Sequence, residues 1–258
     1  MSFNYFVAGL CVKSQSEIPG LSRDGNADSE VDVVLVDHHD TDLYSSELTE
    51  WIALPVQLAL PVWCKSNGKE LHILPNQDVC NTAAVVRQSV PFASALQGCV
   101  ILHASAIEAS NAGIVFIGAG GVGKSTIGAF LSAKGYRLLV DDLLPCRLSP
   151  EGKPRIFITD NNDSDEKLLR FKYLFFLERS LEFESVKLSG LTKIQTLQRL
   201  VQHGFGEVEN RNIWKTQFDM YHLLATTVPS FDMGVPDDKA IISGIVNQIE
   251  SKIVQGLP

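Results

Sequence analysis

The chain has 258 residues, of which 45% are hydrophobic and 20% are charged, and its formal net charge is −8 at pH 7. This length suits one large domain or two small ones, and the composition is that of an ordinary globular protein. The acidic balance, without any block of basic residues, argues against nucleic acid or an anionic membrane as the main partner.

The five cysteines are scattered and show no C-x-x-C spacing, which favours reduced thiols over a disulfide framework or a zinc site. The first residues lack a basic segment followed by a long apolar core, and no run of about 18 apolar residues occurs in the chain. We therefore expect a cytoplasmic protein without a signal peptide or a membrane span.

The first 80 residues contain short apolar runs and no catalytic motif. The runs predict strands at residues 5–12, 31–36, 51–60, 61–65 and 70–74, with a Ser-Asn-Gly-Lys hairpin turn before the last. Residues 37–42 have the side chains of a metal site, but we interpret them as a solvated turn after a strand. We predict a small β-rich N-terminal domain, residues 1–80, that serves as a docking or framing module.

A helix and two strands are predicted next. Apolar residues recur at three- and four-residue steps over residues 81–96, which is typical of a helix, and Pro91 is expected to kink or split it. Residues 99–102 then form a strand that leads into His103. Residues 114–117 are a short apolar run, which is typical of a buried strand.

Directly after this run the sequence matches the phosphate-loop pattern G-x-x-x-x-G-K-[ST] without a mismatch, at Gly118, Ala119, Gly120, Gly121, Val122, Gly123, Lys124 and Ser125. The glycines allow a tight turn whose N–H groups point inward, and the start of the following helix, residues 125–134, adds its own N–H groups. We expect Lys124 to neutralise the β- and γ-phosphates of a nucleotide and the Ser125 hydroxyl to bind Mg²⁺.

Two adjacent carboxylates, Asp141 and Asp142, end the next predicted strand, residues 136–140. A carboxylate at the end of a neighbouring parallel strand can reach the same Mg²⁺ ion, directly or through water. We therefore expect this strand to lie beside the phosphate-loop strand, with both carboxylates close to the phosphates.

Beyond Asp142 the patterns predict strands at residues 146–148, 154–158, 173–177 and 186–188, and a mobile polar loop at residues 160–167. Three amphipathic helices follow. The second covers residues 213–226 and the third begins after Val235. We expect Ser189 to cap the first, whose apolar stripe consists of Leu191, Ile194, Leu197, Leu200 and Val201. These stripes are expected to lie in the core.

The block LHASAIEASNAGIVFIGAGGVGKSTIGAFLSAKGYRLLVDD combines His103, the phosphate loop and the pair of aspartates. In this combination the chain resembles the HPr kinase/phosphorylase family, specifically its short kinase-like branch. Segments near both ends of the chain are similar to the serine kinases associated with lasso-peptide maturation.

The resemblance implies an α/β fold in which residues 81–258 form a P-loop kinase core of the HPr kinase type. It also implies ATP- and Mg²⁺-dependent phosphorylation of a serine hydroxyl on a peptide or protein. The nucleotide-binding roles fall on Gly118, Ala119, Gly120, Gly121, Val122, Gly123, Lys124, Ser125 and Thr126. The catalytic roles fall on His103, Lys124, Asp141 and Asp142, and the metal-binding roles fall on Ser125 and Asp142.

The chain also departs from the family pattern. Ala104 stands where bifunctional members have glycine, and the family's E-x-R-G signature is absent from the sequence. This places the phosphorylase activity in doubt and leaves the arginine that contacts the transferring phosphoryl group unassigned, with Arg147, Arg155, Arg170 and Arg211 all open.

Two other functions stay open at this point. One is a nucleotide-dependent switch or binding module without kinase activity, and the other is a small-molecule kinase with the same core. The acceptor, the formation of a homo-oligomer and the choice between Asp141 and Asp142 as the base are not decided by the sequence.

Overall fold

The structure, a computed structural model, describes residues 2–8, 10–21, 23, 32–37, 50–54, 62–73, 79–160, 163–180, 187–204, 210–236, 244, 246–247 and 249–251. Its strands are β1 (Phe3–Val7), β2 (Leu10–Ser14), β3 (Val33–Asp37), β4 (Trp51–Leu54), β5 (Val62–Lys65), β6 (Glu70–Ile73), β7 (Val100–Ala109), β8 (Ala112–Gly118), β9 (Arg137–Leu148), β10 (Pro154–Asp160), β11 (Asp163–Ser180), β12 (Lys187–Gly190) and β13 (Ser230–Pro236). Its helices are α1 (Val79–Leu96), α2 (Lys124–Ala133), α3 (Lys193–Gln202) and α4 (Arg211–Thr227). Within these residues, none of the helices combines the length and the apolar character that a membrane span requires.

The protein has a mixed α/β fold with two multi-stranded sheets and two compact units. The first unit comprises Met1–Ile101, Thr159–Glu166 and Phe205–Phe218. The second comprises Leu102–Ile158, Lys167–Gly204 and Asp219–Pro258. Each unit is built from segments that are not consecutive in the chain. The predicted domain boundary at residue 80 separates two consecutive segments, and it stays a prediction.

The sheet of the first unit has six strands in the order β1-β2-β3-β6-β5-β4. β1 and β2 form an antiparallel hairpin, so the single strand predicted at residues 5–12 is wrong: the chain turns at Ala8, whose φ is 52°. β5 and β6 pair antiparallel on either side of the Ser-Asn-Gly-Lys turn, which confirms that hairpin. The metal-like residues 38–42 lie outside the described residues.

Helix α1 runs through Pro91 without a break, so Pro91 does not split this helix, and the other expected effect, a kink, stays a prediction. Proline removes one backbone donor from the helix. The hydroxyls of Ser89 and Ser94 donate to the carbonyls one turn earlier, at 2.7 Å each. The helix ends at Leu96, as predicted, and it is followed by Gly98, where φ is 79° and the N–H donates to the Ala95 carbonyl.

Gly68 joins the β5–β6 hairpin to α1 within the first unit. Its N–H donates to the Lys65 carbonyl at 2.8 Å, and its own carbonyl accepts from Gln97 Nε2 at 2.9 Å. Its φ is 75°, and a Cβ placed there would lie 2.3 Å from the Ala93 carbonyl oxygen. The turn therefore requires glycine for both its conformation and its contact with the helix.

The sheet of the second unit has seven strands in the order β10-β9-β7-β8-β11-β13-β12, with an additional pairing between β10 and β11. β8, β11 and β13 run parallel at its centre. Phe116, Phe175 and Phe231 lie at the same register on these three strands. Their rings stack, with centroids 5.8 Å and 5.5 Å apart. This stack, which we call the phenylalanine ladder, fixes the register of the three strands.

The strand that carries Asp141 and Asp142 lies in the same sheet as the phosphate-loop strand but not beside it. β7 lies between β9 and β8. The expectation of direct neighbours is therefore wrong, because β7 pairs antiparallel with β8 through its last six residues and occupies that side. β9 also continues to Leu148, so the strand does not end at the carboxylates.

Three further expectations are corrected. Residues 163–167 belong to strand β11 rather than to a polar loop. Helix α3 is capped by Thr192, not Ser189, through a capping box with Gln195. Val235 and Pro236, where the start of the last helix was predicted, belong to strand β13, a parallel partner of β11, and helix is described only from residue 244 on.

We expect Gly68→Ala to destabilise the protein by about 2–4 kcal/mol, since it adds a backbone clash to the cost of a left-handed alanine. The matched variant is Gly98→Ala, where φ is also positive but a Cβ would meet nothing within 4 Å. It should cost only about 1–2 kcal/mol. Chemical denaturation of both variants measures the difference, and equal losses would mean that the contact with α1 contributes nothing.

Candidate functional site

The glycine-rich loop of residues 118–123 connects the buried strand β8 to helix α2, as the sequence predicted. Its first residue, Gly118, lies at the end of β8 opposite Leu177 of the parallel strand β11. A Cβ on Gly118 would lie 2.7 Å from the Leu177 carbonyl oxygen. Glycine is therefore required where the loop leaves the sheet, because the two backbones approach each other too closely for a side chain.

The rest of the loop has room above it for a ligand. A Cβ on Gly120, Gly121 or Gly123 would meet nothing within 4 Å, so these positions face open space. Gly123 is the N-cap of α2 and has no side chain to bond the first N–H groups of the helix. Exposed N–H groups at a helix start, next to an open loop, are the arrangement that binds phosphate oxygens.

Lys124 is buried, and its ammonium group lies against the loop. Lys124 Nζ donates to the Gly118 carbonyl at 2.8 Å and to the Ala119 carbonyl at 3.1 Å. Burial lowers the pKa of Lys124, while Asp142 and then Asp141 act in the opposite direction. Both carboxylates are therefore close enough to influence this ammonium, although their strand is not adjacent to β8.

His103 and Asp142 form a contact across β7 and β9. His103 Nε2 lies 3.4 Å from Asp142 Oδ1, and both side chains are partly exposed. Burial lowers the pKa of His103, and so does the charge of Lys124, while Asp142 raises it. The structure thus brings Lys124, His103, Asp141 and Asp142 together, and it places Ser125 and Thr126 at the exposed start of α2.

Asp142 has an unusual backbone conformation. Its φ is 142°, in a region that residues with a side chain rarely adopt. Such outliers cost about 1–3 kcal/mol each and cluster at active sites. The positive φ also departs from the regular strand conformation, so strict alternation of side chains is not expected at this residue, and both carboxylates act on the charge of Lys124.

The oxygen-bearing side chains near Lys124 fit a magnesium ion whose other ligands are waters and substrate phosphates. Among the described residues, no group of three or more His, Cys, Asp or Glu side chains could hold a metal ion alone. Mg²⁺ usually keeps several waters and binds one or two carboxylates together with substrate phosphates. Asp142 and the Ser125 hydroxyl would supply that smaller number of protein ligands.

A pocket of about 320 Å³ adjoins the loop within the second unit. Its size is in the range of small-molecule sites. We call it the loop pocket, and it is lined by loop residues, by the end of β11 and by α3 with its C-cap: Ala119, Gly120, Gly121, Val122, Leu177, Glu178, Arg179, Arg199, Gln202 and His203. Burial lowers the pKa of His203, as do Arg199, Lys124 and His103. The charges of Arg199, in the pocket, and of Lys124, beside the loop, therefore both act on His203.

The arginines in the loop pocket are not those considered from the sequence. Arg147 stacks on Phe157 at 3.9 Å, and neither it nor Arg155, Arg170 or Arg211 lines the pocket. Arg179 and Arg199 line the loop pocket. Sequence reasoning missed Arg199 because nothing near it in the chain marks it as part of a site.

Glu178 was also missed, although the sequence contained a signal for it. It lies at the end of β11, the strand that is parallel to β8 and directly beside it. A carboxylate after a predicted strand is the pattern that we applied to Asp141, and residues 173–177 were predicted as a strand. The end of the parallel neighbour therefore carries Glu178, while Asp141 and Asp142 approach from two strands away.

Comparison with solved structures gives a weak structural likeness. No family model matches the chain, and no curated protein matches it. Among solved structures, the chain is similar to the HPr(Ser) kinase/phosphatase from Coxiella burnetii, with a TM-score of 0.34 and 10% sequence identity over 60% of this chain and 91% of that chain. A TM-score of this size does not establish a common fold.

We expect Asp142→Gly to be more stable than Asp142→Ala by about 1–2 kcal/mol. Both variants lose the contact with His103, but only glycine relieves the strained φ, and its own backbone entropy offsets part of the gain. Thermal and urea unfolding of the two variants measure this difference. Equal stability of the two would show that the backbone at Asp142 is not strained.

Proposed function

We propose that the protein is an ATP- and Mg²⁺-dependent kinase that transfers the terminal phosphoryl group to a serine hydroxyl of a peptide or protein. One observation carries this proposal: an open glycine-rich loop at a helix start, with Lys124 on its carbonyls and His103, Asp141 and Asp142 around that lysine. Phosphoryl transfer depends mainly on positioning and charge neutralisation, which these groups can supply.

Each residue has a proposed role. The N–H groups of the loop and of the first turn of α2 bind phosphate oxygens, over residues 118–126. Lys124 leaves the loop carbonyls and neutralises the β- and γ-phosphates. Bound Mg²⁺ would reduce the charge on these phosphates and would be held by Ser125 and Asp142. His103 orients Asp142 or contacts a phosphate oxygen.

Asp141 is the proposed base that accepts the serine proton, and Asp142 is the proposed carboxylate on the metal side. Asp142 is the carboxylate that contacts His103, and its influence on Lys124 exceeds that of Asp141. A carboxylate close to Lys124 is also close to the phosphates that this lysine binds. Asp141 then remains for the acceptor hydroxyl.

We place the activity in a reducing compartment, the cytoplasm. Cys11, Cys64, Cys99 and Cys146 are buried and form no disulfide with one another, as expected in a reducing compartment. The β-rich N-terminal domain, with no catalytic motif, is the proposed docking or framing module for the acceptor.

A nucleotide-dependent binding module is the second candidate function. It is favoured by the small number of metal-ligating side chains that the described residues bring together. Such a module would bind ATP through the same loop but would not transfer its phosphoryl group to any peptide.

Lys124→Ala should abolish phosphoryl transfer and weaken ATP binding, because it removes the cation on the β- and γ-phosphates. The matched control is Lys134→Ala, which removes a lysine from the other end of the same helix, where it pairs with Glu250. That control should bind ATP like the wild type. Calorimetric ATP binding and transfer of labelled phosphate to serine peptides measure both effects. Wild-type activity of Lys124→Ala would mean that the loop is not the working site.

Substitutions of Asp141 and Asp142 distinguish a kinase from a nucleotide-binding module without kinase activity. Asp141→Asn should leave ATP–Mg²⁺ binding within a few-fold but reduce transfer by roughly 10²–10⁴, the range for losing a general base. Asp142→Asn should instead weaken nucleotide binding that depends on Mg²⁺. Asp219→Asn, at an exposed position of α4, is the control. If neither site variant changes binding or transfer, the kinase mechanism is refuted and the binding module replaces it.

A further inference from the structure

The loop pocket contains a charged network that the proposed roles do not use. Arg199 Nη2 donates to Asp232 Oδ2 at 3.0 Å and to Glu178 Oε2 at 3.2 Å. These carboxylates belong to β13 and β11, neighbouring strands whose register is fixed by the phenylalanine ladder. The guanidinium is therefore held between two rigid strand ends beside the loop.

Arg199 still has donors to offer. Its two hydrogen bonds both use Nη2, so Nη1 and Nε, with three N–H groups, make no hydrogen bond to any described residue. The hydrogen bond from Arg199 to Asp232 is the main reason that the pKa of Arg199 lies above its ordinary value, so the group stays charged. A planar guanidinium with spare donors matches the geometry of phosphate oxygens better than an ammonium does.

The pocket surroundings favour an anion next to Arg199. Arg179 and His203 line the same pocket, and the pocket is continuous with the open side of the glycine loop. Glu178 and Asp232 both accept hydrogen bonds from Arg199. The Glu178 side chain is 60% exposed, so it can turn toward water when an anion enters the loop pocket. Asp232 is less exposed and remains as the fixed partner.

We propose that Arg199 binds the terminal phosphoryl group of the nucleotide in the loop pocket and that Asp232 is the positioning residue that holds it there. This inference rests on the proposed function, since it assumes that the loop binds a nucleoside triphosphate. Arg199 would then neutralise the charge on the oxygens of the transferring group, from the side opposite His103, Asp141 and Asp142.

A second observation supports the role of Asp232. Its Oδ1 atom is buried and has no hydrogen-bond partner among the described residues. A buried acceptor without a partner costs free energy. If Arg199 releases Glu178 for a phosphate, a second N–H of the guanidinium can reach Oδ1, and the pair becomes bidentate. The free acceptor therefore fits a network that is completed when the anion binds.

The test compares ATP with ADP, because only ATP carries the terminal phosphate. Arg199→Ala should weaken ATP binding by roughly 10-fold or more while ADP binding stays within about 2-fold, and basal ATP hydrolysis should fall by roughly 10²–10⁴. Asp232→Asn should lower the preference for ATP over ADP by a smaller factor at an unchanged melting temperature. The control is Arg170→Ala, an exposed arginine on the same strand as Glu178 that does not line the pocket.

Arg199→Lys keeps the inference testable if Arg199→Ala unfolds. It preserves a positive charge for Asp232 but loses the planar fork, so it should fold and still lose most of the preference for ATP. If both Arg199 variants keep the wild-type ratio of ATP to ADP affinity, the inference is overturned while the proposed function stands. If the wild type binds no ATP, or binds it independently of Lys124, the proposed function fails first and this inference fails with it.

Discussion

The phenylalanine ladder is the contact on which the site depends. Phe116, Phe175 and Phe231 stack across three parallel strands, and the ring pairs fix the register of those strands. The glycine loop begins two residues after Phe116. Glu178 and Arg179, near the end of β11, follow Phe175, and Asp232 directly follows Phe231. A slip of one strand by a residue would turn its side chains to the other face and would dismantle both the loop and the pocket.

The insertion of β7 between β8 and β9 sets a second constraint. It brings His103 next to the loop, but it moves Asp141 and Asp142 one strand further from it. The strained backbone at Asp142 departs from a regular strand, and both carboxylates still influence the charge of Lys124. Such strain persists only when the surrounding structure holds it, and β9 lies between β7 and β10, with its pairing to β10 at Cys146, Arg147 and Leu148.

The sequence predicted the local parts of the site and missed the parts that depend on distant residues. The strand, loop and helix around Lys124 were predictable because the motif is contiguous and each residue type has a geometric reason. Arg199 was not predictable, since its partners are 21 and 33 residues away in the chain. The order of β7, β8 and β9 was missed for the same reason: pairing of strands is decided by the packed sheet, and apolar runs identify strands without identifying their neighbours.

The charges at this edge of the sheet explain why a metal ion belongs to the proposed reaction. His203 responds to Arg199, Lys124, His103 and Asp232, so the loop and the pocket share one electrostatic environment. Among the described residues, the charged side chains there include three cations, Lys124, Arg179 and Arg199, and four carboxylates, Asp141, Asp142, Glu178 and Asp232. Both histidines have lowered pKa values and add little positive charge. A nucleoside triphosphate brings further negative charge into a site that is already slightly acidic. A divalent cation bound with it would offset part of this negative charge, and the carboxylates beside it would act as its ligands instead of repelling the phosphates.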